Sequence, residues 1–338
     1  MEPRERFLTA ITGGKLDRPS LGTVTSLATV QGMELFGAAF PLAHHEPEPM
    51  AALAAGTSLE IGFDMIFPVY SVVHEAAALG AEINWGSLSV MPTVAHPPWT
   101  GLGDIRIPTD FERRPALAVV LEALRRLKAR YGETHAIVGK VFGPWSLGFH
   151  MFGVERILMM TLDDPEALEA IFGALREVTV RSAAAQVEAG ADVLCLGDHC
   201  SRDMASPQAY RRFLQPHHRE LARVAPCPLV LHTCGDTSDR IPDFAATGLP
   251  CFHFDTRVPA QEAATLAGGK MALMGGVSNV AGLLSGDRER LRADVAEAVA
   301  AGVRVIGPEC AVPVNAPLDS LRAIGPALEE VLGSSAED

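Results

Sequence analysis

Residues 164–196 read DPEALEAIFGALREVTVRSAAAQVEAGADVLCL. The stretch opens with Asp164 and Pro165, residues that favour the N-cap and the first position of a helix. Helical periodicity then continues toward Gly190. Residues 192–196 follow as a short, mostly apolar run, as expected for a parallel strand that is buried on both faces. This helix and strand form the unit that the rest of the chain repeats.

Seven more apolar runs of strand length lie along the chain, with helical patterns between them. One helix opens at Ser206-Pro207, and another covers 287–301 and is stopped by Gly302. The predicted strands are 21–25, 63–69, 136–142, 192–196, 229–233, 251–254, 271–274 and 303–306. Eight strands that alternate with helices predict a (β/α)8 TIM barrel. A doubly wound sheet is the alternative, but no Gly-x-Gly-x-x-Gly follows the first predicted strand.

The chain has no internal linker. No Ser/Gly-rich, Pro-rich or charge-block segment divides it, so 1–332 is predicted to be one barrel domain and 333–338 a disordered tail. One stretch, 81–99, breaks the alternation with short β-like pieces and a Pro-Pro pair. We expect it to pass over one end of the barrel and to help cover a substrate.

Composition argues against several functional classes. A net charge of −13 opposes binding to nucleic acid or to an anionic membrane. No apolar run reaches the roughly 18 residues that cross a bilayer, and Met1 is not followed by the pattern of a secretion signal. The six cysteines are irregularly spaced, as in proteins of a reducing compartment. These features predict a cytoplasmic protein without a nucleic-acid or membrane partner.

Three residues have the pattern of metal ligands. His232 and Cys234 share one face at the end of the fifth predicted strand, because side chains on a strand alternate. Cys310 follows the eighth predicted strand, and the ends of barrel strands meet at one mouth, where active sites are built. One imidazole and two thiolates suit zinc.

The number of ligands decides between a structural and a catalytic zinc. No second Cys-x-x-Cys pair is present, which disfavours a structural site with four protein ligands. Asp255, after the sixth predicted strand, is a candidate fourth ligand, and water is the alternative. A cysteine at a strand end is also often a small buried apolar residue, so the residues alone leave metal binding open.

Several motifs resemble a known family. They are 6–19 (RFLTAITGGKLDRP), 79–86 (LGAEINWG), 188–193 (EAGADV), 231–235 (LHTCG), 274–278 (MGGVS) and 307–310 (GPEC). The chain resembles the methylcobamide:coenzyme M methyltransferases, a branch of the uroporphyrinogen decarboxylase superfamily, over nearly its whole length. The resemblance implies a (β/α)8 barrel that moves a methyl group from a methylated corrinoid protein to coenzyme M. It places His232, Cys234 and Cys310 on the zinc-ligand positions, and Asp255 where the family has an acidic residue.

The implied cofactors are Zn²⁺ and a methylcobamide. Because the chain has no Asp-x-His-x-x-Gly signature, we expect a separate corrinoid protein to supply the methylcobamide and to be the partner. Zinc deprotonates a coordinating thiol, so a small thiol substrate would be held as a reactive thiolate. The decarboxylase branch is disfavoured, since residues 23–29 contain no Arg where that branch has an Arg-rich segment.

Other polar residues are predicted to line the mouth. Asp198, aligned with a family Asp after the fourth predicted strand, is expected either to orient the acceptor or a zinc ligand, or to bond the loop backbone. His74 follows the second predicted strand and is a candidate substrate contact. Ser278 and Asn279 follow the seventh, where loop N–H groups often bind anions, such as a sulfonate; helix capping is the alternative. His217 and His218 point about 100° apart on a helix and are predicted to be surface residues.

Alternative functions remain open at this stage. The acceptor could be tetrahydrofolate, or the donor a small methylated compound, with the fold and zinc site unchanged. A hypothesis of another class is a non-catalytic barrel that binds a corrinoid protein. A further alternative is a tetrapyrrole decarboxylase.

Overall fold

The predicted barrel is confirmed. The computed structural model describes residues 1–334, and within them eight parallel strands form one sheet in the order β1-β10-β9-β8-β7-β6-β5-β2. These strands are β1 (Ser20–Leu21), β2 (Met65–Ile66), β5 (Ala136–Phe142), β6 (Val193–Gly197), β7 (Leu229–His232), β8 (Cys251–Phe254), β9 (Ala272–Val277) and β10 (Val305–Pro308). Each overlaps one of the eight predicted strands and follows the same order, although β1 shares only Leu21 with the predicted strand 21–25.

Helices follow the strands and surround them. They are α1 (Pro3–Thr12), α2 (Val30–Phe36), α3 (Leu42–His45), α4 (Pro47–Glu60), α5 (His74–Ala78), α6 (Pro115–Tyr131), α7 (Pro144–Phe152), α8 (Val154–Asp163), α9 (Pro165–Glu188), α10 (Pro207–Ala209), α11 (Gln215–Val224), α12 (Ile241–Ala245), α13 (Ala260–Ala267), α14 (Arg288–Ala300), α15 (Leu318–Arg322) and α16 (Ile324–Ser334). No helix in residues 1–334 is both long and apolar enough to span a bilayer.

Local chemistry sets the helix ends as predicted. Asp164 accepts a hydrogen bond from Ala167 N–H and caps α9, which begins at Pro165. Helix α16 runs to Ser334 and so includes the first two residues of the predicted disordered tail. Residues 335–338 of that tail lie outside the described residues.

Side chains bond the backbone groups of β5 that extend beyond its pairing with β2. Because β2 has only two residues, it pairs with the first part of β5 and leaves the rest of that edge without a strand neighbour. At Lys140, the side chain of Gln186 from α9 takes the place of the missing strand neighbour. Gln186 Oε1 accepts from Lys140 N–H at 2.9 Å, and Gln186 Nε2 donates to the Lys140 carbonyl at 2.7 Å. One step further, Phe142 N–H donates to Glu75 Oε2 at 3.0 Å. Buried backbone groups are thus satisfied where the ladder ends.

The segment 81–99 contains an antiparallel hairpin, β3 (Ile83–Asn84) with β4 (Thr93–Val94). Trp85 beside it packs with ring centroids 4.4 Å from His45 and 5.5 Å from His74. The segment 81–99 therefore lies against α3 and α5. It contributes no residue to the lining of the cavity at the barrel mouth, in contrast to the expected covering role.

Candidate metal centre

His232, Cys234 and Cys310 converge at the barrel mouth. His232 is the last residue of β7, Cys234 lies two residues beyond it, and Cys310 lies two residues beyond β10. Strands β8 and β9 separate β7 from β10, yet the three potential ligand atoms all lie within 4.8 Å of one another. His232 Nε2 is 3.1 Å from Cys234 Sγ and 3.4 Å from Cys310 Sγ, and the two sulfurs are 2.7 Å apart.

The chemistry of this donor set fits zinc. His232 Nδ1 lies 3.3 Å from the His253 carbonyl and donates to it, which leaves Nε2 free to bind a cation. The pKa of Cys310 is held well below its ordinary value, mainly because the Cys234 thiol hydrogen-bonds to it, whereas the same contact raises the pKa of Cys234. Two adjacent thiolates repel each other, so a divalent cation between them favours loss of the second proton.

Asp255 lies next to this cluster but is engaged by the backbone. Its Oδ2 accepts from Gly235 N–H at 2.7 Å and its Oδ1 accepts from Arg257 N–H at 2.9 Å. Gly235, with φ of +90°, makes the turn directly after Cys234. Asp255 is not among the residues whose ligand atoms converge in the cluster. In this arrangement the carboxylate fixes the loop that carries Cys234.

Asp198 is buried directly after β6, and each of its carboxylate oxygens accepts a hydrogen bond. Oδ1 accepts from Ser146 N–H at 2.8 Å, and Oδ2 accepts from His218 Nε2 at 2.9 Å. Its backbone N–H donates to the His232 carbonyl at 3.1 Å, which ties this loop to the metal-site strand. His218 is itself fully buried, so its predicted surface position is wrong.

Of the three predicted substrate contacts, none lines the mouth cavity. His74 is buried against Trp85 and His44, and burial lowers its pKa to about 4. Ser278 Oγ caps the following turn at Ala281 N–H, which is the capping alternative. The N–H groups expected to bind an anion already donate to carboxylates, Ser278 N–H to Asp294 at 3.0 Å and Asn279 N–H to Glu309 at 2.7 Å.

Glu309 connects the ends of three strands beside Cys310. Besides Asn279 N–H, its carboxylate accepts from Thr256 N–H at 2.9 Å and from the Thr256 hydroxyl. Asn279 Nδ2 also donates to the Ala311 carbonyl at 2.8 Å. These bonds hold the Cys310 loop from both sides.

A cavity of about 170 Å³ opens on the cluster. The residues that line it come from strand ends, from the loops that follow strands and from α7: Thr25, Val72, Lys140, Phe142, Ser146, Phe149, His150, Gly197, Asp198, His199, His232, Cys234, Cys310 and Ala311. Sequence reasoning missed Lys140, although a lone lysine inside an otherwise apolar strand was a usable signal. A larger recess of about 490 Å³ lies at the opposite end of the barrel and contains none of the predicted site residues.

Comparison with known proteins gives consistent matches. The model of the family described as "Uroporphyrinogen decarboxylase (URO-D)" matches residues 2–331. A "Methylated-thiol--coenzyme M methyltransferase" of Methanosarcina mazei is 31% identical over 98% of this chain and 90% of its own length. The "Methylcobamide:CoM methyltransferase MtaA" of Methanosarcina barkeri is 29% identical over 97% of each chain. A solved methyltransferase from Methanosarcina mazei superposes with a TM-score of 0.95 at 29% identity, covering 98% of this chain and 99% of that one.

Proposed function

The chain belongs to the uroporphyrinogen decarboxylase family, and from this premise we propose that it transfers a methyl group from a methylated corrinoid protein to a small thiol held as a zinc thiolate. It is a methyltransferase, like the relatives that match nearly its whole length. The observation that carries the finer proposal is the compact cluster of His232, Cys234 and Cys310 open to a small cavity.

His232, Cys234 and Cys310 would hold the zinc, with Asp255 or the substrate in the fourth position. Zinc bound there would keep a substrate thiol deprotonated near neutral pH and fix its direction. The protein holds the zinc-ligand residues in position. The bonds of Asp255 to Gly235, next to Cys234, and of Glu309, next to Cys310, to Thr256 contribute to this. The corrinoid of the partner would supply the methyl group and accept the electron pair of the broken bond, while His232, Cys234 and Cys310 would hold the attacking sulfur in place through the zinc.

The size of the cavity favours a thiol acceptor over tetrahydrofolate. Sites that enclose drug-sized molecules measure roughly 300–1,000 Å³, whereas this cavity measures about 170 Å³. Lys140 is the one Lys or Arg among the described residues that line it. A tetrapyrrole polycarboxylate needs several cations, so the lining supports methyl transfer over decarboxylation.

We also propose that the corrinoid arrives on a separate protein at the mouth, since the chain has no cobalamin-binding signature. The names of the relatives refer to methylcobamide and coenzyme M. A cytoplasmic location remains a prediction. A second candidate keeps the site but takes a small methylated thiol as donor, and the name of the Methanosarcina mazei relative favours it.

The test combines metal content with methyl transfer. Purified protein is expected to contain one zinc per chain and to demethylate methylcobalamin when 2-mercaptoethanesulfonate is present. Cys234→Ser and Cys310→Ser should lose the metal and at least about 100-fold of the activity. Cys227→Ser, a half-buried cysteine outside the cluster, is the matched control and should retain both.

Two results would contradict the proposal. X-ray absorption without sulfur scattering around the metal would exclude the cysteine ligands. Absence of methylcobalamin loss with this thiol would exclude it as the acceptor. Methylation of cob(I)alamin by a methylated thiol would support the second candidate.

A further inference from the structure

Lys140 is a buried cation inside the barrel. The residue is 7% exposed and lines the same cavity as Cys234 and Cys310. Nζ lies 4.9 Å from the centroid of the Phe142 ring, so part of its environment is an aromatic face. Gly197 on the neighbouring strand leaves room for this Phe142 ring, since a Cβ there would lie 3.0 Å from Phe142 Cε1.

The backbone of Lys140 is held in place from outside the barrel. Gln186, itself 1% exposed, bonds both its N–H and its carbonyl. Ser182 Oγ in turn accepts from Gln186 Nε2 at 3.2 Å. Side chains on a strand alternate, so fixing the backbone directs Lys140 into the barrel.

Lys140 forms no ion pair with any of the described residues. Among residues 1–334, no carboxylate oxygen forms an ion pair with its Nζ within 4.0 Å. The Asp198 carboxylate accepts from Ser146 N–H and His218, and Glu75, which interacts with Lys140 only from beyond ion-pair distance, accepts from Phe142 N–H. A buried charge without a partner is costly, and such a site is completed when a ligand supplies the opposite charge.

The other groups of the mouth do not offer a positive charge. Burial, and next the charge of Lys140, lower the pKa of His150 to about 4, so its imidazole is neutral near pH 7. His199 is exposed at the rim, and partial desolvation, followed by the nearby His232, lowers its pKa. The N–H donors of Ser278 and Asn279 are occupied by carboxylates. Besides the proposed zinc, an anion that enters the cavity therefore meets one formal cation, Lys140, among the residues that line it.

We propose that Lys140 binds the anionic group of the methyl acceptor, so that the enzyme selects short thiols that carry a negative charge over neutral thiols of the same length. This inference rests on the proposed thiol-dependent function. The sulfur would lie at Cys234 and Cys310 and the anionic group at Nζ, both within one cavity of about 170 Å³. Lys140 thereby determines specificity, whereas the cysteines hold the reacting end.

The test compares thiols that differ in charge. Binding of 2-mercaptoethanesulfonate, 3-mercaptopropionate and 2-mercaptoethanol is measured by calorimetry on the metal-loaded protein without any corrinoid. Lys140→Met keeps the length of the side chain and removes the charge. We expect its Kd for the two anionic thiols to rise about 10- to 100-fold, as for loss of a charge-assisted hydrogen bond, and that for 2-mercaptoethanol to change less than about threefold.

The control is Lys270→Met, which removes the same charge from an exposed position before β9, at the far end of the barrel. It should change no Kd. The two anionic thiols separate sulfonate recognition from general anion recognition. In methyl-transfer assays, Lys140→Met should raise the KM of the anionic thiols, with little change in kcat.

Two outcomes would overturn the inference. One is equal binding of anionic and neutral thiols by the wild-type protein. The other is an equal loss for all three thiols in Lys140→Met, which would assign Lys140 to the metal site itself. If no thiol were methylated but the charge preference in binding persisted, the proposed function would fail while the assignment of Lys140 as the anion-binding residue stood.

Discussion

The carboxylate of Asp198 and the imidazole of His218 are joined by a 2.9 Å hydrogen bond between Oδ2 and Nε2, and neither side chain is exposed. A carboxylate only accepts, so His218 Nε2 carries a proton, and His218 Nδ1 lies 3.0 Å from the Tyr210 hydroxyl. These contacts link Tyr210 to the loop at Asp198, whose backbone N–H bonds the His232 carbonyl.

Asp198→Ala should destabilise the protein, because it leaves the Ser146 N–H and the His218 Nε2–H buried without an acceptor. We expect the free energy of unfolding to fall by about 2–5 kcal/mol in urea denaturation. Asp198→Asn keeps an acceptor for Ser146 and should lose less. If Asp198 also orients the site, Asn should retain the metal and lower methyl transfer about 10- to 100-fold; full activity of this variant would reduce Asp198 to a structural role.

Gly143→Ala should displace the Asp198 carboxylate by steric overlap. A Cβ at Gly143 would lie 2.2 Å from Asp198 Oδ2 and 2.8 Å from Asp198 Cβ, so the bonded side chain would have to move. Thermal unfolding should show a loss of about 1–3 kcal/mol, together with lower activity. Gly173→Ala in α9 meets no atom within 4 Å and should be neutral or stabilising by up to about 1 kcal/mol. Similar behaviour of the two variants would contradict this packing argument.

The sequence predicted the fold because every barrel strand is a short apolar run between helices. The residues at which strands end were harder to predict. The first predicted strand reached residue 25, but β1 ends at Leu21, since the Thr23 and Thr25 hydroxyls bond to each other and Thr25 N–H bonds Thr23 Oγ1. Side chains that bond locally compete with strand pairing, and sequence periodicity does not register this.

The parts of the candidate site that depend on the positions of strand ends were predictable. The parts that depend on side-chain contacts between residues distant in sequence were not. His232 and Cys310 follow from the strand positions alone. The burial of His218 follows from its contact with Asp198, twenty residues away, which no local pattern contains. Asp255 was expected at the mouth, yet only the structure places its carboxylate on Gly235 N–H.

Gln186→Leu should affect Lys140 without touching the cavity. It leaves the buried N–H and carbonyl of Lys140 without their partners, at a cost of about 1–3 kcal/mol for each unsatisfied group. If the Lys140 side chain is positioned through this contact, the KM for an anionic thiol should rise while that for 2-mercaptoethanol stays constant. Gln261→Leu, at an exposed position in α13, is the control. A loss of stability with unchanged thiol selectivity would show that Lys140 keeps its place without Gln186.

Glu75 should make stability depend on pH. Burial raises its pKa from 4.5 to about 7, against the opposing effects of Ser182, Phe142 N–H and Lys140. Between these two values the folded protein keeps the proton that the unfolded chain has released. Stability due to Glu75 is therefore full below about pH 4.5 and is lost as the pH rises through about 7, by roughly 3 kcal/mol in total.

Glu75→Gln mimics the protonated acid and should not show this loss. In urea denaturation, its free energy of unfolding relative to wild type should therefore increase by roughly 3 kcal/mol from pH 5 to pH 8. Glu329→Gln, at an exposed position in α16, should give the same difference from wild type at both pH values. If the Glu75→Gln and wild-type profiles ran parallel, Glu75 would have to be ionised throughout, and the charge of Lys140 would then have a partner inside the protein.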